Sequence, residues 1–144
     1  MAPEEGFVLD CSVALAWFFK DEKDAYADSV QDSLPFTAAI VPALWPLEVT
    51  NSVLVGERRG RSTVAQGTGW ISLLQILPIR VDAETASRAW AETLHVARAH
   101  ALSSYDASYL ELALRRGVSL ATLDRSLRNA ATAAGVPLYE PRSI

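Results

Sequence analysis

The chain has 144 residues, half of them hydrophobic, enough for one compact domain over 1–144 with a core of its own, and its formal net charge is −4. That balance argues against broad electrostatic capture of nucleic acid; the single cysteine, Cys11, excludes an internal disulfide and, with only His95 and His100 beside it, nearly excludes a structural zinc site. The longest unbroken apolar run, Val13 to Phe19, is far short of the roughly 20 residues of a membrane span, and the acidic start MAPEEG is unlike a signal peptide, so a soluble cytoplasmic protein is expected.

In chain order the sequence alternates strands and helices. FVLD (7–10) is a short apolar strand that stops at an acid, and SVALAWFF after it reads as a helix with Asp10 or Ser12 available as a cap. DAYADSVQDSL is a second helix and TAAIV (37–41) a second strand. Pro42 and Pro46 bracket a turn into LWPLEVTNSVLVGERRG, where Pro46 fits a first helical position and Gly60 an end. STVAQGTGWISLLQIL is expected to be a helix with a break, because Gly67 and Gly69 each cost about 1 kcal/mol relative to alanine. PIRV is a brief strand, DAETASRAWAETLHVARAHA a strong helix capped by Asp82, and SSYDASYLELALRRG another helix ending at Gly117. VSLATL (118–123) is a strand, DRSLRNAATAAG a helix and VPLYEP a final short strand.

Strands that alternate with helices need crossover connections, which give a mainly parallel central sheet covered on both faces. The expected fold is therefore a three-layer α/β/α sandwich, whose ligands bind at the carboxyl ends of the strands. Four acids fall there. Asp10 closes the first strand, Asp124 follows the strand at VSLAT, and Glu48 and Asp106 each lie in the first turn of a helix. Singly, each has an ordinary structural role: Asp10 and Asp124 as helix caps, Ser103 to Asp106 as a capping box with aspartate in the glutamate position, Glu48 as a complement to a helix dipole.

Together they are harder to explain as caps. Like charges within about 4–6 Å raise one another's pKa, and no lysine lies beyond Lys23 to neutralise them. A hard divalent cation, Mg²⁺ or Mn²⁺, would do so, keeping water on part of its shell and bridging to phosphate. Asn51, three residues after Glu48 on the same helix face, could add a carbonyl or orient the glutamate. Ser12 and Thr122, each two residues from an acid, could hydrogen-bond a carboxylate or serve as ordinary caps.

The blocks VLDCSVALAWFF, PLEVTNSVL with ERRGR after it, SSYDASYLELALRRG and LATLDRSL resemble the signature blocks of PIN-domain ribonucleases, more narrowly the VapC-type toxins of bacterial toxin–antitoxin pairs. The likeness runs from about residue 7 to residue 140 with the blocks in family order. It implies a PIN-like fold with Asp10, Glu48 and Asp106 as the three principal acids, Asp124 as the fourth and Thr122 as the small polar residue near the metal. It also implies Mg²⁺- or Mn²⁺-dependent hydrolysis of RNA to 5′-phosphate and 3′-hydroxyl ends, dimerisation, and silencing by an antitoxin encoded nearby. Asp10, Asp106 and Asp124 would hold one or two ions, with Glu48 on a second ion or on the attacking water.

Charge distribution bears on the RNA. Residues 1–32 hold eight acids and two lysines, whereas residues 33–144 hold nine acids and eleven arginines. Most of these arginines fit ordinary solvated helix faces; Arg58, Arg59, Arg61, Arg125 and Arg128 are candidates for local RNA contact. The Trp-rich stretches AWFF and ALWPLEV suggest an apolar groove for an antitoxin segment, although Trp17, Phe18, Phe19 and Trp45 also suit a core. Two rival readings are a haloacid-dehalogenase-type phosphatase, which also places an aspartate after its first strand, and a signalling receiver domain with an acid pocket. Both want a late lysine that is missing here, and the phosphatase wants an aspartate where Ser12 stands. Cys11 lacks a placed histidine for nucleophilic catalysis. A PIN-like module that processes or binds RNA outside any toxin–antitoxin pair remains the alternative.

Overall fold

The computed structural model describes residues 5–141. Four strands, β1 (Glu5–Leu9), β2 (Ala38–Val41), β3 (Ile79–Val81) and β4 (Ser119–Ala121), form one parallel sheet in the order β3-β2-β1-β4. Helices fill the connections: α1 (Cys11–Phe18), α2 (Ala25–Ser33), α3 (Trp45–Arg58), α4 (Val64–Leu74), α5 (Thr85–Arg88), α6 (Leu94–His100), α7 (Ser104–Arg116) and α8 (Arg125–Ala134). Successive residues of a strand point to opposite faces, yet Phe7, Val8 and Leu9 are all fully buried, as are Ala38, Ala39 and Val41. Both faces of the sheet are therefore covered, which is the expected three-layer α/β/α sandwich. Among the described residues no helix is long and apolar enough to cross a membrane.

Strand order creates the crevice. The chain lays β2 and β3 on one side of β1, then returns to place β4 on the other side, so the connections leaving β1 and β4 diverge at their carboxyl ends. Leu9 pairs with Ala121, and the Asp10 amide still donates to the Ala121 carbonyl at 2.9 Å. That last bond carries the register one residue past β1 and sets Asp10 beside Thr122.

Three local expectations are corrected. First, α4 runs without a break. Thr63 and Gln66 form a reciprocal capping box at its start, and Gly67 is buried against α3, where an added Cβ would stand 2.8 Å from Val53 Cγ1 and 2.9 Å from Glu57 Oε1. Close helix approach, rather than a turn, explains this glycine. Gly69 faces open space. Gly69→Ala should therefore stabilise the fold by about 1 kcal/mol, roughly 3 °C in Tm, through helix propensity. Gly67→Ala should instead destabilise it by about 1 kcal/mol, because overpacking against the buried, stiff Val53 outweighs the same gain. Thermal unfolding of the two variants checks the opposite signs.

Second, Asp82 does not cap the following helix, which is also not uniform. The helix begins at Thr85 and passes through a π-helical segment, Ala89–Thr93, that leaves Trp90 86 % exposed. Third, VPLYEP contributes only a single parallel bridge, Leu120 to Leu138, rather than a strand. The segment is held instead by Tyr139, which stacks on Phe7 with ring centroids 3.9 Å apart and donates to Ser33 Oγ at 2.8 Å, while its carbonyl accepts from Tyr26.

Candidate active site

Asp10 occupies the cap position of α1 but makes no capping hydrogen bond with its side chain. The residue is 5 % exposed, and its carboxylate accepts two hydroxyl hydrogen bonds on the same oxygen, Oδ2: from Ser12 at 2.6 Å and from Thr122 at 2.7 Å. Each hydroxyl is oriented in turn by a backbone amide. Leu123 N–H donates to Ser12 Oγ and Asp124 N–H to Thr122 Oγ1, both at 3.0 Å. The loop after β4 thus fixes the hydroxyls, and the hydroxyls fix Asp10.

Asp106 departs from the capping-box expectation in a useful way. Ser103 caps α7 by accepting from the Asp106 amide at 3.1 Å, and the Asp106 side chain makes no reciprocal cap. Its carboxylate is left for the crevice. Asp124 does cap α8, accepting from the Ser126 amide at 3.1 Å. Glu48, in the first turn of α3, is half-buried and accepts a hydrogen bond from the Tyr109 hydroxyl of α7. Asn51 is exposed, and none of the hydrogen bonds described joins it to Glu48. The orienting donor is Tyr109, three residues after Asp106 and hence on the same face of α7; that spacing was the signal available in the sequence.

The acids sense one another. Burial pushes the Asp10 carboxyl above its ordinary value against the hydrogen bonds from Ser12 and Thr122, and the charge of Asp124 adds to the rise. Burial likewise raises Glu48 against the Tyr109 hydrogen bond, with Asp10 and Asp106 raising it further. Asp106 is raised by burial and then by Asp10 and Asp124. Cys11, between them, has its thiol pushed up by burial and by the charges of Asp10, Glu48 and Asp106, so it stays protonated and is no nucleophile. No cation enters any of these balances, and no ion pair between described residues includes one of the four acids.

Asp82 shows what a paired acid at a strand end looks like in the same sheet. It follows β3 as Asp10 follows β1, and its side chain is fully buried. Burial alone would raise its carboxyl, but hydrogen bonds from Arg115, the Glu84 backbone and Thr85 outweigh it and hold the group below its ordinary value. One strand-end acid received an arginine and the other did not.

These opposite shifts fix a pH dependence for the protein in chelator. Asp10, Glu48 and Asp106 titrate above their ordinary values of 3.8 and 4.5, so as pH falls from neutral toward that range the folded state takes up protons before the unfolded chain and gains stability. Asp82 titrates below 3.8, so its contribution is present above that value and is lost as pH falls beneath it. Tm should rise on moderate acidification and then fall, and Asp106→Asn should flatten the rise. A melting series across pH measures both.

The donor set suits a hard divalent ion: carboxylates that no cationic side chain among the described residues neutralises, with hydroxyls already holding one of them in place. Among the described residues no three histidine, cysteine or acidic side chains are gathered into a ready-made metal cage. A Mg²⁺ ion commonly keeps several waters and needs only one or two protein carboxylates, so it does not require such a cage.

The arginines fall into two groups. Arg61 is engaged by Asp21 at 2.9 Å and Glu22 at 2.7 Å and lies 3.9 Å over the Phe19 ring, so its guanidinium is already committed. Arg128 donates through Nε to the Thr122 carbonyl at 2.7 Å and sits over Tyr26, bracing the loop that carries Thr122 and Asp124. Arg58, Arg59 and Arg125 are exposed. Of the aromatic residues, Phe19 and Trp45 are core, and Trp17 donates to the Ala27 carbonyl at 2.7 Å. Phe18 stacks on Trp70 and lines, with Phe19, Arg61, Trp70 and Leu73, a groove of about 640 Å³ between α1 and α4.

Comparison with known proteins agrees with this architecture. The PIN domain family matches residues 7–133. Among solved structures, PAE2754 from Pyrobaculum aerophilum is 26 % identical, with a TM-score of 0.63 over 88 % of this chain and 79 % of that one. VapC20 from Mycobacterium tuberculosis, described as a sarcin-ricin loop cleaving toxin, is 17 % identical with a TM-score of 0.61 over 94 % of this chain and all of its own. FitAcB from Neisseria gonorrhoeae is 19 % identical with a TM-score of 0.56, covering 94 % of this chain and 97 % of that one. No curated protein matches the sequence. A family match across nearly the whole sheet and its helices displaces the phosphatase and receiver readings: the chain belongs to the PIN-domain family of nucleases.

Proposed function

We propose that the chain is a Mg²⁺- or Mn²⁺-dependent endoribonuclease that acts as the toxin of a toxin–antitoxin pair. The observation that carries this reading is the set of acids at the carboxyl edge of a parallel sheet, Asp10, Glu48 and Asp106, each raised by burial and then by a neighbouring carboxylate, with Asp124 beside them and no ion pair between described residues to any of the four. When bound, a divalent ion there supplies Lewis acidity toward the scissile phosphate and lowers the pKa of a water. Asp10, Asp106 and Asp124 would hold it. Ser12 and Thr122 keep Asp10 in one orientation, so that little is reorganised as the site fills. Glu48 would orient the attacking water or share in holding a second ion. Arg125, exposed and next to Asp124, would meet the RNA backbone, with the exposed Arg58 at the end of α3 and Arg59 just past it as further contacts.

The partner reading rests on the family likeness and on the aromatic groove between α1 and α4. An antitoxin segment would lay an apolar face there and silence the enzyme, which would work as a homodimer in the cytoplasm. Mapping RNA ends after brief expression tests the activity: new 5′-phosphate ends at a restricted set of sites are expected. RNA bound but never cut would leave a binding module instead. Co-purification with the product of an adjacent reading frame tests the pairing, and a freely active protein from a solitary gene would contradict it.

A further inference from the structure

Tyr109 is the one fully buried tyrosine, and its hydroxyl reaches across 61 residues of sequence to Oε1 of Glu48. Its ring belongs to the main core, whereas the carboxylate it holds is half-buried at the crevice. A phenol is protonated at neutral pH, so toward a carboxylate it acts as a donor. The same helix face that presents Asp106 therefore also grips the acid of α3, through a rigid ring with two rotatable bonds.

We infer that Tyr109 is a positioning residue for the metal centre: by occupying Oε1 it leaves Glu48 to act through Oε2 and holds that oxygen in register with Asp106. The inference rests on the metal-dependent reading above and adds to it which atom of Glu48 works and what aims it. Without the hydroxyl, the half-buried Glu48 carboxylate loses the hydrogen bond that fixes its orientation, and the site must order it on each binding event. Loss of such a supporting hydrogen bond typically weakens metal binding about 10- to 100-fold.

The test is Mn²⁺ binding by calorimetry to the full chain and to Tyr109→Phe, Glu48→Gln and the double variant, with thermal melting as a control for folding. Tyr109→Phe should bind Mn²⁺ about 10- to 100-fold more weakly while remaining folded, and the double variant should be no weaker than Glu48→Gln alone, because the tyrosine acts through the glutamate. Unchanged Mn²⁺ affinity in folded Tyr109→Phe, or losses that multiply in the double variant, would overturn the inference alone. A wild-type chain that binds no Mn²⁺ would overturn the metal reading and this inference with it. Should Tyr109→Phe fail to fold, ¹³C-tyrosine spectra of the wild type decide: the chain has four tyrosines, and Tyr109 should shift on Mg²⁺ addition in the wild type but not in Glu48→Gln. Equal shifts in both would overturn it.

Discussion

Asp106→Asn should reduce RNA cleavage on the order of 10³-fold or more, about 4 kcal/mol of transition-state stabilisation, without loss of fold. The substitution keeps size and polarity and leaves the cap intact, since α7 is capped by Ser103 and the Asp106 backbone amide rather than by its carboxylate. What disappears is a charge that burial, Asp10 and Asp124 all disfavour. Removing it relieves repulsion, so Tm should stay level or rise by about 1–3 °C, as happens when a group kept for function at the expense of stability is neutralised. Loss of activity with stability retained separates a metal-binding acid from a structural one. A fall of 10 °C in Tm, or full activity, would assign Asp106 to the scaffold.

The second large effect has the opposite signature. Arg115→Ala should lower stability by about 3–5 kcal/mol, roughly 10 °C or more in Tm, while leaving cleavage by the folded fraction near normal at low temperature. Arg115 is 12 % exposed and ties together Asp82, whose side chain is fully buried, Glu111 at 7 % and the more exposed Glu84. Its distances of 2.6 Å to Asp82 and 2.8 Å to Glu111 mark charge-assisted hydrogen bonds. Truncation would strand two buried carboxylates without their main donor. Arg116 lies 3.7 Å from Asp82 but is also bound to Glu5 at 3.0 Å, and cannot replace the planar fork. Arg115→Lys should therefore recover only part of the loss. Denaturant unfolding of the three proteins measures it.

The contrast between Arg115 and Asp106, at opposite ends of α7, bears on what a sequence can reveal. Alternating strands and helices, with acids at strand ends and first turns, sufficed to place Asp10, Glu48, Asp106 and Asp124 toward one edge, because parallel topology does that whatever the packing details. The hydroxyls of Ser12 and Thr122 were within reach for the same reason: each sits two residues from an acid. Details set by long-range packing were not legible. Asn51 shares a helix face with Glu48, yet Tyr109, distant in sequence, supplies the hydrogen bond. Asp82 has the local look of a cap and proves to be an ion-pair acceptor for a residue 33 positions away. Gly67 resembles a helix breaker, although its meaning lies in Val53 and Glu57 on the neighbouring helix. Arg61 and Arg128, plausible as RNA contacts by composition, also make contacts within the chain: Arg61 with Asp21 and Glu22 at the surface, and Arg128 through Nε with the Thr122 carbonyl.

On the proposed reading, Asp10, Glu48, Asp106 and Asp124 hold a divalent ion for RNA hydrolysis. Its most direct test is cleavage of a labelled RNA by the purified chain with Mn²⁺ or Mg²⁺, with excess chelator, and with Asp106→Asn under the same conditions. Cutting should occur with metal, stop in chelator, return on adding Mn²⁺ and be absent from the variant. Equal cutting in chelator, or a fully active Asp106→Asn, would contradict that reading.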